Sequence, residues 1–573
     1  MEGLPILSIL IFLPIAAALL CLVLPERDGR GLARPFAFAA AIVTLALAAA
    51  MLADFPAGEP DRRYVERAPW IPALGISYHL AIDGLNVLLV PLTTLLTPIA
   101  ILASWDAVRG RSRLFVALLL LLEGTVIGAL TALDLILYFV FWEAMLLPMY
   151  LLIAAFGGAR RGFAALKFFI YTSVGSLLML LAILAVYYQH RTLVSNAATT
   201  FALDDLVGTP IGTGLQRLLF LAFALAFSIK LPLFPLHSWL PDTYTQAPTT
   251  VLVLATMLVK VGAYSFLRFA IPLFPRAASD LMPLLAILAT VGIIYGGLVA
   301  ARQRDMVRLL AFSSLSHLGF IGLGIFALDR VAIQGSILQM VNHGLSAGAL
   351  FLIVAMIAAR VGTFDISALG GLARRWPVLT GCAVLATFSL LGLPGLNGFV
   401  GEFLILLGTF RTQRTLAIIA TFGVLLAAIY LLRLFRRTLY GVERAPTGSA
   451  AEVARAAEAG RMVGRDLSPR ELAALAPLLA LIVWFGVYPA PFLRRTEGAV
   501  ERLVASVTVE RGAAPAGMDG LALREPCADE ATESEARAAG PGATERAPEA
   551  GTGESADRGE RLPESDLRSA PCR

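Results

Sequence analysis

Several ionisable side chains stand inside long apolar runs of this chain. Glu143 lies in FVFWEAMLLP, Lys230 and His237 in SIKLPLFPLHSW, Lys260 in LATMLVKVGAYSF and Glu402 in GFVGEFLILL. Glu123 lies in LLLEGTVIG, His317 in SSLSHLGF and His343 in VNHGLSAGALF. A charged group at the centre of a membrane-spanning helix costs roughly 2.5–3.5 kcal/mol on insertion scales, so one that persists there defaults to a functional reading. Singly, each has a plainer explanation, an ion pair or hydrogen bond that holds helices together, which weighs more for Glu123 and the histidines than for Glu143 and Lys230. As a set of acids, lysines and histidines spread along the chain, they have the chemistry of a proton relay.

The lysines sharpen that reading. Of 46 basic residues, 43 are arginine and only Lys167, Lys230 and Lys260 are lysine. A composition that pushes interchangeable basic positions to arginine leaves lysine where arginine cannot serve. A guanidinium does not release its proton, whereas a desolvated lysine moves toward neutrality and trades one. Lys230 and Lys260 fall in mid-span and fit that role. Lys167, beside Arg160 and Arg161, reads instead as an interfacial anchor.

The elements that must carry these groups follow from composition. The 573 residues are 58% hydrophobic and 15% charged, against about 25% charged in a soluble domain, and mean hydropathy is +0.77. A single water-soluble globule is excluded. Apolar runs near 4–24, 35–53, 81–104, 113–131, 133–156, 165–188, 217–241, 247–269, 281–301, 308–328, 331–359, 378–410, 414–435 and 472–493 predict fourteen spanning helices, each long enough for a bilayer core about 30 Å thick. The expected class is an all-α polytopic membrane protein. The turns at Ala132–Asp134 and Asp329–Arg330 are the shortest separations.

Orientation follows from the arginines. Arg27, Arg30 and Arg34; Arg109, Arg111 and Arg113; Arg160 and Arg161; Arg302, Arg304 and Arg308; Arg374 and Arg375; and Arg433, Arg436 and Arg437 occupy six loops that alternate to one side. The positive-inside rule makes that side cytoplasmic and puts both termini outside. The formal charge of +5 therefore records topology rather than nucleic-acid binding. The segment from Leu4 to Leu24 follows Glu2 and has no small-residue cleavage site, so it reads as a retained helix rather than a signal peptide.

Two spans carry their own breaks. Pro232, Pro235 and Pro241 interrupt the seventh, and Pro394 with Gly392, Gly395, Gly398 and Gly401 interrupts the twelfth. Each is the fourth member of a five-helix block, helices 4–8 and helices 9–13. An odd number of spans inverts the second block relative to the first, and broken helices at equivalent places of inverted repeats mark ion sites in secondary transporters. The expected organisation is an N-terminal segment at 1–112, repeats at 113–270 and 280–440, a loop and last span at 441–495, and a polar, disordered tail at 496–573 opened by an amphipathic piece near Glu501–Val509. Cys21, Cys382, Cys527 and Cys572 show no metal-ligand spacing. Cys527 and Cys572 could pair if the tail lies in an oxidising compartment.

The stretch KLPLFPLHSWLPDTYTQAPT, with YFVFWEAMLLPMYLLI, QRDMVRLLAFSSLSHLGF and GLPGLNGFVGEF, resembles the proton-translocating membrane subunits of respiratory complex I and the related Mrp-type cation/proton antiporter subunits. Over residues 4–495 the chain is most similar to the M type, as FFIYTSVGSLLMLLAI and Glu402 suggest. The resemblance implies that Glu143 and Lys230 form the coupling ion pair, that Lys260 is the central proton carrier, that His317 links to the second half and that Glu402 is the exit-side acid, with Glu123, His237 and His343 as secondary candidates. It also implies partners: neighbouring antiporter-like subunits, a peripheral redox arm and the lipid bilayer of a bacterial inner membrane. NADH, FMN, iron–sulfur clusters and quinone would belong to those partners, with no cofactor or metal in this chain.

The sequence departs from the family at Tyr244 and Gln246, where many relatives carry His and Glu, and at Val307, where relatives often carry Lys. Proton uptake is therefore not assigned to the loop after the seventh helix, and the polar tail is also outside the usual pattern. Two other functions stay open: a subunit of an Mrp-type Na⁺/H⁺ antiporter or membrane-bound hydrogenase, and a scaffold whose ion pairs only hold helices together.

Overall fold

The computed structural model describes residues 4–27, 30–108, 111–194, 199–442 and 466–510. Long apolar runs become helices here because a backbone in hydrocarbon must satisfy its own hydrogen bonds. The main helices are α1 (Ile6–Val23), α2 (Ala33–Asp54), α3 (Leu89–Ala103), α4 (Ser112–Thr131), α5 (Leu135–Phe156), α6 (Arg161–Leu193), α7 (Thr213–Lys230), α8 (Trp239–Gln246) and α9 (Leu252–Leu273). They continue with α10 (Pro275–Arg302), α11 (Met306–Phe326), α12 (Arg330–Val361), α13 (Pro377–Leu391), α14 (Asn397–Thr412), α15 (Arg414–Thr438), α16 (Pro469–Val487) and α17 (Ala490–Glu510). Among the described residues twelve helices are long and apolar enough to cross a membrane, and α3 and α13 are shorter apolar helices.

The shortest turns are cut by acidic caps. Asp134 accepts from the backbone N–H groups of Ile136 and Leu137 at the start of α5. Asp329 does the same for Val331 and Ala332 at the start of α12, each satisfying donors that a helix start leaves free. Ser468 and Glu471 form a reciprocal capping box on α16.

Both expected breaks are present. The seventh span stops at Lys230, runs irregularly past Pro232 and Pro235, and resumes as α8. The twelfth stops at Gly392, whose φ of 81° is left-handed and open to glycine at little cost, and resumes as α14 after Pro394. α9 and α11 are wholly buried and form the centre of the bundle, whereas most of α2 and α15 faces outward. Leu177, Leu181 and Leu184 on α6, with Ile418, Phe422 and Leu425 on α15, are exposed and give the bundle an apolar outer surface.

Several expectations are corrected. The chain is not purely helical: strands β1 (Arg63–Ile71) and β2 (Ile76–Ile82) form an antiparallel hairpin, so the third helix starts at Leu89 rather than at 81. On the hairpin, Glu66 accepts from Leu7 N at 2.7 Å and Ser8 N at 3.1 Å, placing a carboxylate at the N-terminus of α1, where the helix dipole favours it. The last span ends at Val487, not 493, and the expected amphipathic piece belongs to the longer α17. Lys167 does more than anchor an interface. Its Nζ is 2.7 Å from Asp242 Oδ2 on α8 and donates to Ser238 O at 2.9 Å, tying α6 to the far side of the first break. The tail beyond 510, with Cys527 and Cys572, lies outside the described residues.

The two ends of the bundle differ. At one, the hairpin meets the turns beside α5 and α7: Leu133 N donates to His79 O, Leu203 N to Leu133 O, and Phe201 N to Gly75 O. α17 joins this end through Gly58 N to Arg494 O and through ion pairs of Arg330 with Glu497 and Glu501. At the other end, Met306 N donates to Phe364 O, Ile366 N to Arg304 O and Ala373 N to Leu439 O. Three of the arginine-rich loops thus meet there.

Candidate functional site: a buried lysine, histidine and glutamate axis

Lys260 sits on α9 and His343 on α12, each buried to 1% exposure or less, with Lys260 Nζ 2.8 Å from His343 Nδ1. The His343 and His317 rings are neighbours, centroids 6.1 Å apart, and His343 Nε2 has no hydrogen-bond partner among the described residues. His317, on α11, then donates from Nδ1 to Glu402 Oε1 at 2.8 Å. Glu402 follows the break on α14 and also accepts from Gln339 Nε2 at 3.1 Å. Four titratable groups on four helices are brought into one line, and three of them were leading candidates from sequence. His343, a secondary candidate there, is the direct partner of Lys260.

The line is held by a polar frame that the sequence reading missed. Tyr430 contacts His317 Nε2 at 3.4 Å and Ser313 Oγ at 2.9 Å. Asn342 donates to Asn397 O at 2.7 Å and to Gln339 Oε1 at 3.3 Å, while Ser346 and Ser389 close on each other and on Asn397 Oδ1. Buried networks of this kind fix geometry because breaking one bond strands its partner. Amides and hydroxyls in apolar helices were the available signal for part of it, since Ser313, Gln339, Asn342, Ser346 and Asn397 lie within a turn or two of a singled-out His or Glu.

Lys230 is buried at the end of α7, and no direct contact with Glu143 is seen among the described residues. The lysine Nζ has no hydrogen-bond partner among the described residues and lies 4.5 Å from the centroid of the Trp142 ring, a cation–π contact. Trp142 is fixed in turn by donating to Ser176 Oγ at 2.9 Å. Glu143, the next residue, is half-buried, and its Oε1 is also unpartnered. The acid and the lysine therefore stand near one another without direct contact. Lys230 reaches the helix of Lys260 through Gly262, where an added Cβ would fall 3.0 Å from Lys230 Cβ and 2.8 Å from Leu231 N. Only a residue without a side chain lets the two lysine-bearing helices come this close.

The remaining candidates lie elsewhere. His237, in the first break, stacks on Phe234 and meets Tyr295 edge-on. Glu123 is fully buried on α4, beside Thr97 of α3. A further buried pair escaped the sequence reading: Arg268 and Asp83, which exchange two 2.6 Å hydrogen bonds. Among the described residues no three His, Cys, Asp or Glu side chains converge as a metal set.

A bundle with two broken helices and a buried Lys–His–His–Glu line is the architecture of an ion-translocating membrane subunit. Residues 132–428 match the family described as NADH:quinone oxidoreductase/Mrp antiporter, TM. The chain is 41% identical over 85% of its length to NADH-quinone oxidoreductase subunit M of Rhodobacter capsulatus, covering 93% of that protein. It is 40% identical to the subunit M of Escherichia coli strain K12, over 79% of this chain and 89% of that one. Its fold matches a chain of respiratory complex I from Thermus thermophilus with a TM-score of 0.77 and 32% identity, covering 87% of this chain and 99% of that one. A chain of the Mrp complex from Dietzia sp. DQ12-45-1b shares the fold at a TM-score of 0.75 and 21% identity, over 88% of this chain and all of that one. The protein belongs to the antiporter-like membrane subunits of the NADH:quinone oxidoreductase/Mrp family.

Proposed function

We propose that this chain is the M-type proton-translocating subunit of an NADH:quinone oxidoreductase in a bacterial inner membrane. The observation that carries the reading is the buried contact series from Lys260 through His343 and His317 to Glu402, which crosses from the span that follows the first broken helix to the far half of the second. Residues 113–270 and 280–440 act as two inverted repeats, and the arginine-rich end faces the cytoplasm. Flavin, iron–sulfur clusters, NADH and quinone belong to partner subunits, and the charge shift of quinone reduction arrives through neighbouring membrane subunits.

In this mechanism Glu143 and Lys230 form a coupling element that is open in the present arrangement. When Glu143 closes on Lys230 it favours the ammonium, and when it withdraws the proton affinity of Lys230 falls. The change is felt across Gly262 by Lys260, which gives its proton to the lone pair of His343. A water beside His343 Nε2 carries it to His317, and Glu402 receives it. The repeated proton exchange needs groups that both hold and release a proton, which lysine, histidine and glutamate do and arginine does not.

Glu143→Ala or Lys230→Ala in the assembled complex tests this: quinone-linked NADH oxidation and proton pumping fall together. Normal rates with the complex intact would remove the coupling role. Relatives named subunit M at about 40% identity favour this assignment over a Mrp-type antiporter or a hydrogenase subunit. Co-purification with flavin and iron–sulfur subunits separates the readings.

A further inference from the structure

We infer that Arg268 and Asp83 form a proton-tight seal that closes the hairpin end of the first half, so that charge reaching Lys260 leaves toward His343. The inference rests on the relay reading above. From Lys260, α9 runs toward the hairpin end through Tyr264, one turn on, to Arg268, two turns on, about 12 Å along the axis. Arg268 Nη1 and Nη2 donate to the two oxygens of Asp83 at 2.6 Å each, and Nε donates to the Tyr264 hydroxyl at 2.7 Å. Both charged side chains are 5% exposed or less.

The pair is held rigidly from three elements. Arg268 lies within a π-helical turn, Phe266–Ala270, a local widening that recurs at functional sites. Asp83 sits between β2 and α3, where its Oδ1 accepts from Leu85 N at 2.9 Å and its own N–H donates to Asn86 Oδ1 at 2.8 Å. Asn86 in turn donates to Leu130 O at the end of α4 at 2.8 Å.

Nothing in this arrangement can pass a proton onward. The guanidinium does not release one, the carboxylate is neutralised on both oxygens, and the Tyr264 oxygen already accepts from Arg268. A guanidinium locked into a bidentate pair neither takes up nor hands on a proton, and so interrupts a path that crosses it. The hairpin end of the second half is built differently. Beyond Glu402, Thr409 stands two turns on along α14 and Gln413 caps the helix's C-terminal end, and Thr409 Oγ1 and Gln413 Oε1 are buried without partners among the described residues. Unpartnered acceptors are where ordered water settles. One half is stoppered by a permanent ion pair while the other presents solvating groups below its acid. A tie that merely held the β2–α3 turn would not need charge, since buried ion pairs are commonly replaceable by apolar groups of similar volume.

The test is the passive leak of the assembled complex in vesicles without NADH, read as collapse of an imposed pH gradient with a pH-sensitive dye. Arg268→Lys keeps the cation but makes it exchangeable, because an ammonium can hand a proton to Asp83 or water and take another from the Lys260 side. The double change Asp83→Asn with Arg268→Gln keeps polarity and removes charge. Both are expected to collapse the gradient several-fold faster than wild type while NADH oxidation by an artificial acceptor is unchanged. The apolar pair Asp83→Leu with Arg268→Met should stay tight. Wild-type collapse rates in the first two variants, or an equal leak in the apolar one, would overturn the seal. On the unmodified complex, backbone hydrogen exchange should be slower over 260–270 than over 405–413, and the reverse order would overturn it even if no variant assembles. Full pumping by Lys260→Arg would sink the relay reading while leaving the leak result standing.

Discussion

Lys260 Nζ and His343 Nδ1 stand 2.8 Å apart across two buried helices, and at that distance one nitrogen must offer its lone pair to a proton on the other. The contact holds a single proton between two bases. That property turns two ordinary buried side chains into a transfer step, and it depends on both members being able to lose a proton.

Lys260→Arg keeps the positive charge and abolishes exchange. Quinone-linked proton pumping is expected to fall by about 100-fold, the low end of what removing a positioned proton-transfer group costs, with assembly intact on a native gel. Wild-type pumping in vesicles would mean that charge alone suffices.

His343→Ala should be nearly as damaging, because it removes the acceptor of Lys260 and the neighbour of His317. His237→Ala should be milder by about tenfold, since that ring packs between Phe234 and Tyr295 and stands outside the line. Steady-state NADH:quinone activity of the two variants side by side gives the answer, and equal loss would detach the effect from the axis.

Gly262→Ala puts a methyl 2.8 Å from Leu231 N and 3.0 Å from Lys230 Cβ, atoms that cannot move aside. Overpacking of this kind costs about 1–3 kcal/mol, and the thermal midpoint of the purified complex should drop. Gly381→Ala on α13 meets nothing within 4 Å and should leave the midpoint unchanged or slightly raised.

His79, buried in β2 outside the membrane spans, is held below the ordinary histidine value of 6.5 by burial. The unfolded chain therefore binds more protons than the folded one as pH falls below about 6.5, and the folded state loses stability from there down toward the depressed value. Between pH 7.5 and 5.5, wild-type thermal stability should fall further than that of His79→Gln. Parallel curves would show that His79 contributes nothing to the acid sensitivity.

Most of the helical frame was readable because its signals are local. Pro232 and Pro235 stop α7, Gly392 and Pro394 stop α13, and Asp134 and Asp329 cap the helices that follow the shortest turns. The hairpin was not, because RYVERAPWIPALGISYHLAI alternates weakly and leads straight into the apolar run of α3. Of the site, residue types were legible and pairings were not. Asp83 and Arg268 are 185 positions apart, and no local pattern in AIDGLN or SFLRFA announces their contact. Sequence likewise placed Glu143 against Lys230, but the Trp142 ring takes the lysine's flank, a competition that only three-dimensional packing decides. His343 ranked low because a histidine in a small-residue helix carries no mark of its partner.

The last described helix, α17, reaches back to the segment that follows α2. Arg495 Nε donates to Phe55 O across 440 positions, and Arg502 meets Asp61 across 441. A ribosome makes these partners more than four hundred residues apart. This clasp of α17 on the 55–61 segment therefore forms only after every helix before α17 has been made, whereas the hairpin's ties to α1 and to the turn at Leu133 form earlier. A chain cut short before residue 490 would be inserted yet unlatched, a difference that cellular proteases are placed to detect.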